Sequence, residues 1–332
     1  MLNSHQSCHT WILMIVSILF FSCEKEEVEI TDADIASVLG LQGSVAPFFE
    51  NPALPVGRDS LRILAIGNSY TEDGTAYIEE ILDGLDVSRN HYCVYTLVHS
   101  AATLRYWWEE MEHDALCVLN RVAGNLRMLP EDSTITAAVS LPWDVVVVQQ
   151  FSGDAIDYGT FNPWLRQIIG FVRGHCSNGG VAMAWQLVHS YRSGFAARYS
   201  DSAKRWRMLA YATAQMMVYD GINIIIPTGT AIQLARGSGL NNVAELTHDG
   251  THLGYGVARY VAACVWVQTL YGDAMGLDVR RCGAVHPLLG YETDEVHVRE
   301  EFIRGSSVPV TELNRGLCVE CAYRACRSPF EI

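Results

Sequence analysis

The sequence lacks the glycine-rich motifs with which many proteins bind nucleotides. Neither Gly-x-Gly-x-x-Gly nor a P-loop pattern follows any predicted strand of this 332-residue chain. Because those glycines let the backbone approach phosphate groups closely, their absence disfavours a dinucleotide- or nucleotide-dependent function. Internal repeats and low-complexity stretches are absent as well. The pattern is that of a globular protein without a nucleotide site.

Basic residues are scarce. The chain has 23 Lys and Arg against 37 Asp and Glu, which gives a formal net charge of −14 at pH 7. That balance argues against nucleic acid and against anionic lipid surfaces as partners. The hydrophobic content of 49% supports a sizeable core. Most of the chain, about 275 residues, therefore suits one large domain.

A hydrophobic run long enough to cross a membrane is missing from the N-terminus. Residues 11–21 are apolar but too few to span a bilayer, and no Lys or Arg precedes them. The run ends at Phe21-Ser22-Cys23, which resembles a lipoprotein cleavage box. We predict a signal peptide over residues 1–22, lipidation of Cys23, and an outer-membrane lipoprotein of the cell envelope held by its lipid anchor. An ordinary signal peptide and a membrane anchor remain alternatives.

Residues 23–58 have no clear hydrophobic periodicity. An acidic run at residues 24–27 is followed by Pro47, Pro52 and Pro55. The run resembles a surface-export signal, and a solvated spacer is the alternative. We predict a tether over residues 23–58, a single domain over 59–275, and an extension over 276–332 whose amphipathic helix packs on that domain.

The ten cysteines do not form a recognisable metal motif. Cys93 and Cys264 lie on predicted apolar faces and are expected to be buried thiols. Near the C-terminus, no second Cys or His pair stands at zinc-site spacing from the three cysteines Cys318, Cys321 and Cys326. No metal site is predicted. One apolar helix face is expected there instead, formed by Leu313, Leu317, Cys321 and Ala325.

A strand, a sharp turn and a helix follow one another around Ser69. The apolar run at residues 61–66 ends at Gly67-Asn68-Ser69, and apolar residues then recur at helical spacing. This arrangement predicts Ser69 at the carboxyl end of a buried strand, where ligands of open α/β sheets bind. A helix N-cap without a chemical role would give the same local pattern.

A second motif, Asp249-Gly250-Thr251-His252, precedes an amphipathic helix predicted over residues 255–271. The spacing allows Asp249 to orient the imidazole of His252. A serine far upstream could then be the nucleophile, as in a Ser-His-Asp triad. The pairing of the two motifs favours a catalytic interpretation of Ser69.

Together these motifs resemble the SGNH, or GDSL-like, hydrolase superfamily. The run from Trp143 to Ser152 and the pair Arg259-Tyr260 resemble a branch found in envelope lipoproteins of Gram-negative bacteria. The resemblance covers roughly residues 60–272, so it identifies residues 59–275 as an SGNH hydrolase-like domain. It implies that Ser69, His252 and Asp249 are the catalytic residues and that no metal or organic cofactor is required.

Strands alternate with helices through the domain, which is typical of a parallel sheet covered on both faces. The five predicted strands are residues 61–66, 92–98, 144–150, 181–188 and 222–226. A long helix after the second strand is expected to include Leu116 and Val118. The predicted fold is a three-layer α/β/α sandwich with a mostly parallel five-stranded sheet, which is the flavodoxin-like fold that the resemblance implies.

The resemblance also implies an oxyanion hole. Superfamily members use the serine N–H, a glycine N–H after the second strand and an asparagine side chain after the third. The equivalents here are the Ser69 N–H, the N–H near Ala101 and the side-chain amide of Gln150. Residues alternate faces at a strand end, so only one of Gln149 and Gln150 can point at Ser69. A capped strand end with exposed amides is the alternative.

Aromatic and amide side chains cluster around the end of the fourth strand. Trp185 and Gln186 there, together with Gln149 at the end of the third strand, are predicted to bind substrate, because aromatic faces and amide edges suit sugars. His189 and Tyr191 are expected to belong to the same wall, although such residues are often simply packed. His248 and His286 belong to no motif that the sequence pattern pairs with another, and they are expected to be structural.

The sequence therefore predicts a serine esterase that hydrolyses acyl esters, O-acetyl groups on carbohydrate being favoured. The carbohydrate assignment follows from the resemblance and the predicted envelope location. The alternative is a cell-surface glycan-binding protein of the same fold with little or no turnover. Covalent labelling of Ser69 by a fluorophosphonate separates the two.

Overall fold

The computed structural model describes residues 27–128, 132–286 and 307–332. The predicted signal peptide, residues 1–22, and the predicted lipidation site, Cys23, lie outside these residues.

Strands and helices alternate along the chain. The strands are β1 (Leu61–Gly67), β2 (Tyr92–Val98), β3 (Leu116–Val118), β4 (Asn120–Gly124), β5 (Asp132–Thr134), β6 (Val145–Val148), β7 (Ala182–Gln186) and β8 (Ile224–Ile226). The helices are α1 (Asp32–Leu39), α2 (Ser69–Thr75), α3 (Ile78–Asp83), α4 (Leu104–Glu112), α5 (Ile135–Val139), α6 (Trp164–His175), α7 (Ser202–Tyr219), α8 (Thr228–Arg236), α9 (Val257–Met275) and α10 (Arg315–Arg327).

The central sheet has the strand order β4-β2-β1-β6-β7-β8. Its five predicted strands are all present and pair in parallel, with β1 between β2 and β6. The order changes direction at β1, so a crevice is expected where the carboxyl ends of β1 and its neighbours meet. Ser69 lies there. The predicted mostly parallel α/β architecture is confirmed.

Both faces of the sheet are covered, because successive side chains of a strand point to opposite sides. In β1, Leu61, Ile63 and Ala65 pack in the core with α3, α8, α9 and α10. Leu64 and Ile66 face the core that contains α4, α5, α6 and α7. Nearly every residue of β1, β2, β6 and β7 is buried, which explains their uninterrupted apolar runs.

A sixth strand and a shorter helix depart from the predictions. β4 joins the edge of the sheet antiparallel to β2. Its first three residues are exposed, so it has no apolar run by which to recognise it. Helix α4 ends at Glu112, and the predicted helical residues Leu116 and Val118 lie in β3 instead, 81% and 58% exposed. Asp114 has a positive φ of 47°, which interrupts a right-handed helix.

The ends of the described chain pack on the domain. Within the segment predicted to be a tether, Ile35 and Val38 of α1 pack against α7, so this part is not a free linker. Near the C-terminus, α10 buries Cys318, Val319, Cys321, Ala322 and Ala325.

The buried face of that C-terminal helix differs from the predicted one. Leu313 precedes α10 and is 97% exposed, and Leu317 is 39% exposed. Cys93 and Cys264 are buried, as expected. Among the described residues, no helix combines the length and the apolar character needed to cross a membrane.

Candidate active site

Ser69 is the first residue of α2, and a single residue, Asn68, separates it from the end of β1. Asn68 caps the helix by accepting a hydrogen bond from the Tyr70 N–H, 3.0 Å. The turn is tight enough that a Cβ on Gly67 would lie 2.2 Å from Thr71 Oγ1. The sequence Gly-Asn-Ser thus places the Ser69 hydroxyl at the end of the strand because only glycine fits before the cap.

Ser69, His252 and Asp249 form one continuous hydrogen-bonded chain. Ser69 Oγ lies 2.8 Å from His252 Nε2, and His252 Nδ1 lies 2.6 Å from Asp249 Oδ2. The other oxygen of Asp249 accepts hydrogen bonds from the N–H groups of Thr251 and His252, both 2.8 Å. The structure therefore brings the three predicted catalytic residues into the geometry of a triad.

The pKa shifts of the pair keep Asp249 ionised and favour the protonated form of His252. Burial alone would raise the pKa of Asp249, but hydrogen bonds from the His252 ring and from two backbone N–H groups outweigh it and lower the pKa. The hydrogen bond to Asp249 raises the pKa of His252 above its ordinary value, although partial burial opposes the rise. Asp249 consequently stays ionised wherever His252 titrates.

Asp73 ties the serine helix to the histidine segment. It lies on α2, four residues after Ser69, and is 1% exposed. Its carboxylate accepts a hydrogen bond from the Leu253 N–H, 2.8 Å, and pairs with Arg259 of α9, 2.9 Å. Burial raises the pKa of Asp73, and Arg259 opposes that rise. The sequence interpretation missed this residue, although its helical spacing from Ser69 was a usable signal.

The two helices also approach closely. A Cβ on Gly74 of α2 would lie 2.5 Å from the indole nitrogen of Trp266 on α9. Glycine at this position therefore permits the contact that keeps Ser69 within reach of the segment preceding α9.

The predicted oxyanion residues are only partly brought together. The turn after β2 lies beside the serine turn, because the Asn68 side chain donates to the Ala102 carbonyl, 3.0 Å. Ala101 occupies the left-handed region, φ 54°, where the expected glycine would stand without strain. The two turns that carry the expected backbone donors are therefore neighbours.

Gln150 was predicted to donate to the oxyanion, and this prediction is wrong. Its amide nitrogen donates to the carbonyl and hydroxyl of Thr160, 3.1 and 3.2 Å, and its oxygen accepts from the Leu104 N–H, 3.0 Å. These bonds hold the side chain on the α4 side. Gln149 instead points towards the serine turn, but it donates to the Asn68 side-chain oxygen, 2.6 Å.

The three side chains predicted to bind substrate are all buried. Gln149 is 1% exposed, Trp185 is 2% exposed and Gln186 is 1% exposed. Trp185 packs on Phe161 with ring centroids 4.8 Å apart, and Gln186 donates to the Tyr70 carbonyl, 3.0 Å. The prediction that these three side chains bind substrate is therefore wrong, because each is buried against other parts of the chain.

The open cleft lies on the opposite side of Ser69. It has a volume of about 610 Å³. Beside Ser69 and His252 it is lined by the polar or charged residues Glu72, Asp73, Thr75, Thr96, Asn120, His248 and Arg259, and by Ala76, Val122 and Tyr255. The strand missed in the sequence, β4, supplies one wall. His248, expected to be structural, stacks on His252 with ring centroids 5.7 Å apart.

One group of described residues has ligand atoms close enough to hold a metal ion. His248, Asp249 and His252 each offer one, all within 4.8 Å of one another. Both ring nitrogens of His252 already take part in hydrogen bonds to Ser69 and Asp249. Ligation by His252 would break one of these bonds, so metal binding and the triad geometry exclude each other.

Comparison with protein families matches residues 62–284 to the family DUF4886, described as a domain of unknown function. This match includes every residue of the triad. Among curated proteins, none matches the sequence.

Several solved structures are similar to this chain. A DUF4886 family protein from Bacteroides uniformis is 20% identical, covering 82% of this chain and 97% of its own, with a TM-score of 0.64. A candidate SGNH hydrolase from Slackia heliotrinireducens is 19% identical over 64% of this chain and 99% of its own, TM-score 0.43. A candidate GDSL-like lipase from Parabacteroides merdae is 14% identical over 66% and 99%, TM-score 0.44.

Proposed function

The chain belongs to the DUF4886 family, and from that premise and the geometry of its site we propose that it is a serine hydrolase acting on carboxylic esters. The hydrogen-bonded chain from Ser69 through His252 to Asp249 carries the proposal, at 2.8 and 2.6 Å. Such a chain supplies both a nucleophile and a base for its proton.

In the proposed reaction Ser69 Oγ attacks the ester carbonyl while His252 Nε2 accepts its proton. The tetrahedral intermediate collapses as His252 returns that proton to the leaving alcohol, which leaves an acyl-Ser69 ester. Water then attacks the acyl group while His252 accepts its proton, and the carboxylic acid leaves as His252 returns that proton to Ser69 Oγ. Asp249 holds the ring with its proton on Nδ1, so that Nε2 is free to accept.

We assign the oxyanion to backbone donors. The Ser69 N–H and an N–H of the turn around Ala101 are the groups that remain for this role, because Gln149 and Gln150 donate to other acceptors. Removal of one oxyanion donor typically costs ~3 kcal/mol of the barrier. A site with two donors instead of three is therefore expected to be a modest catalyst.

A polar alcohol with a small acyl group suits the cleft best, and O-acetyl groups on carbohydrate are the substrates that we propose. The hydrogen-bonding side chains of the lining, which include Thr96, Asn120 and His248, support a hydroxyl-rich leaving group. A screen of acetylated glycans beside nitrophenyl esters of increasing chain length tests this choice. Faster turnover of long-chain than of acetyl esters would contradict it.

The alternative is a glycan-binding protein with little turnover. The loss of a side-chain oxyanion donor at Gln150 and the alanine in place of the second-turn glycine favour this second candidate. Fluorophosphonate labelling separates the two, because only an activated Ser69 reacts. Glycan binding without labelling would favour the alternative.

The location that we propose is the cell envelope, with the protein anchored through a lipidated Cys23. It follows from the N-terminal sequence alone. Cys23→Ala should leave either an unprocessed protein that keeps its signal segment or a protein that no longer partitions into a detergent phase. Unchanged partitioning of a Cys23→Ala protein that has lost its signal segment would rule out this anchor.

A further inference from the structure

His189 lies behind the triad, where it is 1% exposed, three residues after the end of β7. Its Nε2 lies 2.6 Å from the carbonyl oxygen of Thr251, in the segment that carries Asp249 and His252. Because a carbonyl only accepts hydrogen bonds, Nε2 bears the proton. Burial lowers the pKa of His189 to about 3, so the ring stays neutral through the range in which His252 titrates.

The same carbonyl has a second donor. The Tyr70 hydroxyl donates to Thr251 O at 2.8 Å, and Tyr70 directly follows Ser69 in the chain. The Tyr70 and His189 rings stack with centroids 4.1 Å apart and planes 12° from parallel. One carbonyl of the histidine segment is thus held by the neighbour of the nucleophile and by the end of β7.

The peptide unit between Thr251 and His252 is fixed at both ends. Its carbonyl accepts from Tyr70 and His189, and its N–H, on His252, donates to Asp249 Oδ1 at 2.8 Å. A peptide unit is planar, so these bonds set the direction in which the His252 side chain leaves the backbone. The next N–H, of Leu253, is held by Asp73.

A buried arginine holds the residue that follows His189. Arg236 of α8 is 7% exposed. It donates to the hydroxyl and the carbonyl of Ser190, 2.6 and 3.0 Å, and to the carbonyl of Glu245, 2.9 Å. One buried guanidinium therefore joins Ser190, the residue after His189, to Glu245 in the segment that precedes Asp249.

We propose that His189 is a positioning residue which, together with Tyr70, holds the Thr251–His252 peptide and thereby aims His252 at Ser69 and Asp249. This inference rests on the proposed function. It assigns a role to a side chain that never touches substrate, on the closed side of the site.

The test compares His189→Ala with His189→Gln, which keeps an N–H near the position of Nε2. His189→Ala should lower kcat on nitrophenyl acetate about ten- to hundred-fold with little change in KM, because a small displacement of a catalytic group is costly. His189→Gln should recover most of the loss. Tyr70→Phe removes only a hydroxyl and should cost about three- to ten-fold, less than additively with His189→Ala, because both donors share one acceptor.

The pH profile distinguishes positioning from simple stability. The raised pKa of His252 depends first on its hydrogen bond to Asp249. If the Thr251–His252 peptide is no longer held, that hydrogen bond weakens and the pKa of His252 falls. The acid limb of the pH profile of kcat/KM should therefore move to lower pH in His189→Ala. His286→Ala is the matched control. It removes another buried imidazole stacked on a tyrosine, with centroids again 4.1 Å apart, and should leave the limb in place.

A folded His189→Ala protein with wild-type kcat and an unmoved limb would overturn the inference, as would equal losses in His189→Ala and His189→Gln. If His189→Ala does not fold, Tyr70→Phe decides by the same readouts. If the wild type neither hydrolyses esters nor reacts with fluorophosphonate, the proposed function fails. The NMR titration of the His252 ring in wild type and His189→Ala then still tests whether His189 positions His252.

Discussion

On the β7 side of Ser69, Trp185, Gln186 and His189 are each no more than 2% exposed. On the β4 side, Glu72 and Asn120 are exposed and line a cleft of about 610 Å³. Both sides carry the polar and aromatic residues from which binding sites are made. The difference is that the β7 side is covered. The Thr251 carbonyl accepts a hydrogen bond from the His189 ring, and the Gly250 carbonyl accepts one from the Arg192 N–H, so the segment after β7 is attached to the histidine segment there.

The comparison shows that the type of a residue at a strand end does not reveal whether its side chain faces the open cleft. Buried polar groups need partners, and on the β7 side they serve to hold the triad segment. On the β4 side the sheet ends in an antiparallel strand that leaves the serine accessible. We therefore expect changes on the open side to alter substrate use and changes on the closed side to alter stability and alignment.

The largest effect is expected at the point where the two sides meet, at Ser69 and His252. His252→Ala leaves the serine without a base, so turnover of nitrophenyl acetate should fall by about 10⁴-fold or more. The double variant Ser69→Ala/His252→Ala should be barely worse than either single variant, since the residues act as a unit. Steady-state kinetics measure this, and additive losses would show that the residues do not cooperate.

Asp249→Asn should have the next largest effect. It keeps the shape but permits the wrong imidazole tautomer, so we expect a loss in kcat of about 10²- to 10⁴-fold. It also removes the first cause of the raised His252 pKa. His252 must be neutral to act as a base. We expect the acid limb of the wild type above about pH 6.5, and in Asp249→Asn it should therefore move towards 6.5. A limb that stays in place would assign the titration to another group.

On the closed side, Trp185→Ala should reduce stability without changing substrate recognition. It removes a large ring that is 2% exposed, at a cost of about 3–5 kcal/mol in the free energy of unfolding. Urea unfolding measures that cost, and KM of the folded fraction should stay unchanged. Asn120→Ala on the open side is the control and should do the reverse, with KM raised a few-fold and stability within ~0.5 kcal/mol of wild type.

The smallest effect is expected from the charge of the open side. Glu72 lines the cleft one helical turn after Ser69, while Arg259 there is paired with Asp73. The cleft should favour a cationic over an uncharged leaving group about two- to five-fold, because exposed charges interact weakly in water. Relative kcat/KM for acetylcholine and its neutral analogue 3,3-dimethylbutyl acetate measures this preference. It should vanish in Glu72→Gln, and a preference that persists would locate the selectivity elsewhere.

Much of the fold was accessible from the sequence because buried parallel strands carry uninterrupted apolar runs. β4 was not, since its exposed residues have no such run and its place depends on pairing with β2. The triad could be predicted because Asp249 and His252 are close in sequence and Ser69 follows a strand. The orientations of Gln149 and Gln150 depend on distant partners, Asn68 and Thr160, which local patterns do not contain.

The central claim is that Ser69 is an activated nucleophile, and covalent labelling tests it most directly. The wild-type protein should react with a fluorophosphonate, and mass spectrometry should find the adduct on the peptide that contains Ser69. Labelling should be lost in Ser69→Ala and strongly slowed in His252→Ala, while both proteins keep the wild-type circular dichroism spectrum. A folded wild-type protein that is not labelled, or a Ser69→Ala protein that is labelled equally well, would contradict the claim.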